Sequence, residues 1–233
     1  MTNHTHFIVA CVKPWNRRVF DEIITSYPGV WHFVGRSDEL TPEKVAEINP
    51  RFIFFLHWSE KVPPEILSAF ECVCFHMTEV PYGRGGSPLQ NLIVRGHRRT
   101  KLSALRMVAE FDAGPVYMQE ELSLEGGAEE IYIRSSYLSA RMIQKMIEQQ
   151  PLPEPQMGEV TVFKRRKPSE SQIPSLSSLQ SLHDFIRMLD AEGYPHAFLE
   201  HQGFCYEFKR AALYDGRIVA DVIITSIREK DPS

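Results

Sequence analysis

Short, nearly continuous apolar runs alternate with amphipathic stretches along the first third of the chain. HFIVACV (His6 to Val12), WHFVG (Trp31 to Gly35), RFIFFLHW (Arg51 to Trp58) and ECVCFHM (Glu71 to Met77) are each short enough for a strand and too apolar for one with a wet face. Between them, VFDEIITSY (Val19 to Tyr27), TPEKVAEI (Thr41 to Ile48) and PPEILSAF (Pro63 to Phe70) carry helical spacing. The second of these opens on a Thr N-cap with Pro at the first helical position and Glu next. The alternation predicts β-α-β-α-β-α-β, and hence a parallel sheet buried on both faces.

Further on, SPLQNLIVRG (Ser87 to Gly96) reads as a helix between a Ser cap and a Gly stop. KLSALRMVAEFD reads as a strand running into a loop, and GPVYMQEELSL as another strand. A long helix is predicted from about Ala128 to Gln149, with Ile131, Leu138, Met142, Met146 and Ile147 at helical intervals and PLPEP ending it. Beyond Pro168 the pattern changes. A Ser-rich stretch leads into one short helix, LHDFIRMLDAEGYP, ending at Gly193, and then short strand-like runs with turns at His201–Gly203 and Asp215–Gly216. The pattern predicts a main domain over 1–165 that holds the site, and a small C-terminal α+β subdomain over 166–233.

Composition narrows the class. With 233 residues, 43% hydrophobic and 24% charged, the chain suits a globular protein with a sizeable core. A formal charge of −4 argues against broad nucleic-acid or anionic-membrane binding. No apolar run approaches a membrane span, and MTNHTHFIVACVKPW lacks the features of a signal peptide, so the expected location is cytoplasmic. Cys72 and Cys74 share a strand face, but without a second pair they are a weak zinc signal. Cys11, Cys72, Cys74 and Cys205 are read as reduced thiols, His4 and His6 as solvated or structural, and no metal is expected.

The stretch FHMTEVPYGRGGSPLQN (Phe75 to Asn91) stands out. It places His76 at a strand end, where open α/β sheets bind ligands, and follows it with a Gly-rich loop whose backbone amides carry little bulk. Asp112, in FDAGPV, lies at another strand boundary. An Asp beside a His accepts the ring N–H and stabilises the protonated ring.

These residues resemble the 10-formyltetrahydrofolate-dependent formyltransferases, which include glycinamide ribonucleotide transformylase, methionyl-tRNA formyltransferase and the sugar N-formyltransferases. Those families carry Asn-x-His at a strand end, a Leu-Pro loop, Arg-Gly or Lys-Gly before a helix, a downstream Thr and an Asp-x-Gly motif. The matching residues here are Cys74-Phe75-His76, Val80-Pro81, Arg84-Gly85, Thr100 and Asp112-Ala113-Gly114. The resemblance covers roughly Phe7 to Gln149. It implies a Rossmann-like formyltransferase fold, and 10-formyltetrahydrofolate as co-substrate. His76 would stabilise the oxyanion and assist proton transfer while Asp112 holds its ring. The pterin pocket is expected at His57, Trp58, Ser59, Met107 and Asp112, although Trp58 and Met107 are equally readable as core. Cys74 stands where the family has Asn, and cysteine is a poor donor. Either Asn91 supplies the amide, or protonated His76 suffices with backbone donors, or the protein binds folate without catalysis.

For the acceptor, RRKPSESQI and DFIRMLDAEGYPHAF resemble segments of the sugar enzymes, and FHMTEVPYGRGGSPLQNLI with EEIYIR resembles their pseudaminic acid-type branch. This implies a UDP-linked 4-amino-4,6-dideoxy sugar, with Lys13, Arg84 and Gly85, and Tyr194, His196 and Arg187 from the C-terminal segment, as candidates to meet it. The alternative is another amine, such as a carrier-bound aminoacyl group. The KRRK run (Lys164 to Lys167) is either a solvated linker or a phosphate contact. A homodimer is compatible with the sequence, and neither nucleic acid nor membrane is expected as a partner.

Overall fold

A computed structural model of the chain describes residues 5–227, and so His4 lies outside the described residues. The chain divides into two compact units. The first comprises residues up to 88 with 99–123 and 132–163, and the second 89–98, 124–131 and 164 onward.

In the first unit, strands β1 (His6–Ala10), β2 (Val30–Val34), β3 (Phe52–Phe55), β4 (Cys72–His76), β6 (Arg99–Arg106) and β7 (Val116–Ser123) form one sheet in the order β2-β1-β3-β4-β6-β7. The first four are mutually parallel, and β6 and β7 add in antiparallel fashion. A mostly parallel central sheet is thus present. Short β5 (Arg84–Gly85) and β8 (Val162–Phe163) pair separately. Ile8, Ala10, Ile53, Phe55, Ile66 and Cys72 are buried in one cluster. Burial of each of Ile8, Ile53, Phe55 and Ile66 contributes about 1.5–3 kcal/mol.

Helices α1 (Pro14–Glu22), α2 (Pro42–Ile48) and α3 (Pro64–Ala69) connect the parallel strands. Thr41 caps α2 by accepting the Lys44 amide, as the sequence predicts. Helix α1 begins at Pro14 rather than Val19, because its buried face is Trp15, Asn16, Val19 and Phe20. Asn16 interrupts that stripe in a hydrophobicity reading, yet it is buried. Its Nδ2 donates to Leu56 O at 3.2 Å, and its Oδ1 accepts from Ser136.

Helix α4 (Pro88–Val94) follows β5, and α5 (Ala128–Gln149) has the bounds expected from its periodicity. The second unit contains α6 (Leu179–Arg187) and an antiparallel sheet of β9 (Ala197–His201), β10 (Phe204–Tyr214) and β11 (Arg217–Ser226) in the order β11-β10-β9. Its hairpins turn where Gly203 and Gly216 were read. Helix α6 starts earlier than its apolar residues suggest, because Ser178 caps it by accepting the Ser181 amide. It ends at Arg187, and the expected continuation to Gly193 is a series of turns. Arg187 is 4% exposed, pairs with Asp184 at 2.6 Å and donates to Leu124 O and Gly126 O. These contacts make it a structural anchor of that unit. No helix among the described residues is long and apolar enough to cross a membrane.

Candidate active site

His76 is the last residue of β4 and lies opposite Ser103 of β6, so two hydrogen-bonded strands fix its Cα. The residues after it are fixed by small polar groups. Ser103 Oγ donates to Thr78 O at 2.6 Å, Gln119 Nε2 donates to Ser103 Oγ, and Thr100 Oγ1 reaches Met77 O. Sequence reading missed Thr78, Ser103 and Gln119. Their only signal was a hydroxyl or amide on otherwise apolar, strand-like segments.

The ring of His76 is buried, and both of its nitrogens face acceptors. Nε2 donates to Gly83 O at 2.8 Å, and Nδ1 lies 3.4 Å from Asp112 Oδ1. The other Asp112 oxygen accepts the Gly85 amide at 2.9 Å. The expected His–Asp pair is therefore present, and the Gly-rich loop clasps it from one side. Gly85 has φ +95°, and an added Cβ would sit 2.6 Å from Phe163 O, so no side chain fits there. The loop amides are used internally. Gly83 and Arg84 donate to Thr161 O, Gly86 donates to Phe163 O, and Gly85 donates to Asp112. The loop is a clamp on the carboxylate, which corrects the expectation that it presents free amides to a ligand.

Asp112 itself has φ +54°, in the left-handed region. Its carbonyl and that of Gly114 both accept from Gln156 Nε2 at 2.7 Å. Arg84 is mostly buried, donates through Nε to Gln156 Oε1 at 3.0 Å and lies 3.6 Å from Glu110. Sequence reading did not single out Gln156, which sits in a proline-rich connection with no periodicity.

Trp58, Cys74 and Met107 are half-buried and pack on the same apolar cluster beside β4, while Ser59 is exposed. The Trp58 indole N–H is buried with no hydrogen-bond partner. Burial, and then the Asp112 charge, push the Cys74 thiol well above its ordinary range, so it stays neutral. His57 has φ +53° and stands edge-on to Tyr132 at 4.5 Å and tilted against Trp15 at 5.9 Å. Burial, with Lys13 nearby, pushes its ring down to about 4. Lys13 lies over the Trp15 ring at 5.6 Å.

The remaining expected residues belong to the second unit. Asn91 Nδ2 donates to Lys164 O at 3.2 Å, and its Oδ1 accepts from Arg95. Tyr194 bonds back to Ala191 O in the turn after α6. His196 faces Asp190 at 3.9 Å, and burial pushes its ring below the ordinary value, with Lys209 adding to the effect. Among the described residues no three His, Cys, Asp or Glu groups gather as metal ligands. An open cleft of about 720 Å³, lined by Thr5, Arg51, Glu71 and Arg106, lies at the amino ends of β1, β3 and β4, away from His76.

A solved methionyl-tRNA formyltransferase from Clostridium thermocellum is 44% identical, with a TM-score of 0.90 over 95% of this chain and 99% of that one. This chain belongs to the formyltransferase family. The family model for the methionyl-tRNA formyltransferase C-terminal domain matches residues 168–225. A methionyl-tRNA formyltransferase of Thermodesulfovibrio yellowstonii is 26% identical over 153 residues, covering 62% of this chain and 50% of that protein. The chain spans about half the length, or less, of the first curated formyltransferases it matches. HypX from Aquifex aeolicus, solved in complex with tetrahydrofolic acid, shares the fold at 17% identity and a TM-score of 0.72, over 90% of this chain and 38% of that one. A solved sugar N-formyltransferase from Shewanella shares the fold alone, at 13% identity and a TM-score of 0.62 over 97% of this chain and 99% of that one. The amino-sugar acceptor expected from the sequence therefore finds no specific support.

Proposed function

We propose that this protein transfers a formyl group from 10-formyltetrahydrofolate to the primary amine of a carrier-bound aminoacyl group, with methionyl-tRNA the leading acceptor. One observation carries the reading. A buried His76–Asp112 pair ends β4, in a chain 44% identical over nearly its whole length to a solved methionyl-tRNA formyltransferase.

Trp58, Cys74 and Met107 would hold the folate ring. The unpartnered indole N–H of Trp58 suits a flat heterocycle with acceptor atoms, whereas a purely apolar occupant would leave it unsatisfied. The donor supplies a formyl group on nitrogen, already activated for transfer. The neutral amine of the acceptor attacks the formyl carbon, and negative charge builds on the formyl oxygen; its collapse breaks the bond from the formyl carbon to the folate nitrogen, which leaves as tetrahydrofolate carrying the proton that the amine gives up. His76 carries a proton on Nε2 in the resting site, where it points at Gly83 O. Bound reactants compete with that carbonyl for the N–H. Turned from Gly83 O, the same N–H would donate to the developing oxyanion, while Asp112 Oδ1, 3.4 Å from Nδ1, fixes the orientation of the ring. Aligning two bound reactants supplies much of the remaining gain.

Cys74 offers only a neutral thiol, so stabilisation of the oxyanion falls to the His76 N–H; Asn91, whose amide donates to Lys164 O, is the alternative that the sequence offers. Lys164, Arg165 and Lys167 are exposed and give a chain of net charge −4 a local basic site for a phosphate backbone. In this reading, nucleic acid becomes a partner, contrary to the sequence expectation.

The test is product mass. Purified protein and 10-formyltetrahydrofolate are offered methionyl-tRNA and, separately, amino-sugar nucleotides. The expected product is methionyl-tRNA heavier by one formyl group. His76→Ala and Asp112→Ala should each cut kcat by about 100-fold or more with the fold retained. Formylated sugar without formylated tRNA would overturn the acceptor. No transfer to any amine would overturn the reaction. A large loss in Asn91→Ala with a small one in Cys74→Ala would favour the Asn91 amide.

A further inference from the structure

The loop carrying Asp112 is held from a segment that the chemistry above does not use. Between α5 and β8 the chain runs along the surface, with Leu152 and Met157 at 86% and 84% exposure. Gln156 is the half-buried residue of its 154–160 stretch. The backbone of Glu154 exchanges two hydrogen bonds with Val116, which sets the height at which Gln156 enters. Its amide is then fully engaged. Nε2 donates to Asp112 O and Gly114 O, both at 2.7 Å, and Oε1 accepts from Arg84 Nε at 3.0 Å. Two carbonyls and a guanidinium permit only this orientation of the amide.

The two carbonyls flank a strained turn. Asp112 is a non-glycine residue at φ +54°, and Gly114 is so close to β6 that an added Cβ would lie 1.7 Å from Arg106 O. A residue held in the left-handed region persists only where its surroundings enforce it. Gln156 provides that enforcement at the Asp112 carbonyl, while the Gly85 amide fixes its carboxylate. Through Arg84 the same side chain also reaches the Gly-rich loop. One amide thus joins the two loops that meet at the His76 ring.

We infer that Gln156 is a positioning residue that sets the Asp112 carboxylate against His76 and ties the Asp112 loop to the Arg84–Gly85 loop. The inference rests on the formyl-transfer reading of the pair. Gln156→Leu removes all three hydrogen bonds at similar size, and Gln156→Glu turns a carboxylate toward two carbonyls. Each should lower kcat about 10- to 100-fold, with KM for 10-formyltetrahydrofolate within about twofold, because misplacement of order 1 Å costs that much. In an Asp112→Ala background neither should lower kcat further. A merely structural role predicts multiplying losses instead, and kcat within twofold of wild type in both single variants also overturns the inference. If either variant melts early, Gln156→Asn replaces it, since it keeps both amide groups one methylene short.

A second arm does not depend on turnover. The ¹⁵N resonance of His76 Nδ1, assigned with His76→Gln, is compared between wild type and Gln156→Leu at one pH without substrate. It should move, because its partner Asp112 has moved. An unchanged resonance overturns the inference. If wild type transfers no formyl group, the reaction reading fails on its own, and this resonance still decides the role of Gln156.

Discussion

Asp112 and His57 are both non-glycine residues in the left-handed backbone region, and each underlies a separate prediction. Gly85→Ala attacks the clamp on Asp112. At φ +95° and 2.6 Å from Phe163 O, a methyl group forces the loop to shift, so the amide leaves the carboxylate. We expect a stability loss of about 1–3 kcal/mol, read as a fall in Tm, and a kcat loss larger than the fold loss alone explains. His57 predicts a pH dependence. Its ring is neutral when folded, with a pKa of about 4 against 6.5 when exposed. Between those values the unfolded chain binds the extra proton, so the stability contribution is complete above about pH 7 and falls as pH drops from 6.5 toward 4. Allowing for partial exposure, the loss is about 2 kcal/mol. His57→Asn, which tolerates the same backbone, should flatten the Tm-versus-pH curve over that window. An unchanged slope would locate the acid sensitivity elsewhere.

Asn16 shows how an element can be anchored by a residue that pattern reading discounts. It joins α1 to the end of β3 through Leu56 O and to α5 through Ser136. Asn16→Leu fits the apolar stripe by hydrophobicity, yet it leaves the Leu56 carbonyl short of a partner and removes one of the two acceptors that Ser136 Oγ faces. We expect a loss of about 2–3 kcal/mol and a Tm lower by several degrees in thermal melts. The same residue marks where the sequence was legible. Strands β1, β3 and β4 and helix α5 announce themselves, because continuous apolarity and long helical periodicity are burial written in order. His76 and Asp112 were legible through their motif. The starts of α1 and α6 were not, since Pro14 and Ser178 set them before the apolar residues begin. Gln156 was not legible either, because a hydrogen bond between segments 44 residues apart has no periodic signature.

Over the whole molecule, charge and chain path matter more than any one contact. Under the proposed reading, an acidic chain meets a polyanion, and it must confine attraction to a small area. Lys164→Glu with Arg165→Glu should therefore raise KM for methionyl-tRNA, flatten its dependence on salt, and leave KM for 10-formyltetrahydrofolate unchanged. Equal salt slopes for variant and wild type would remove this run from the interface. The antiparallel pairing of β4 with β6 has a different outcome. The chain leaves the sheet after His76 and re-enters at Arg99, on the strand that pairs with the one it left, with Ser103 opposite His76. Everything between is an excursion with neighbouring endpoints. Closing such an excursion costs entropy that grows only slowly with its length. Within that excursion Gly83 O and the Gly85 amide return to the His76–Asp112 pair, so the one detour both leaves the strand and closes over the ring at its end.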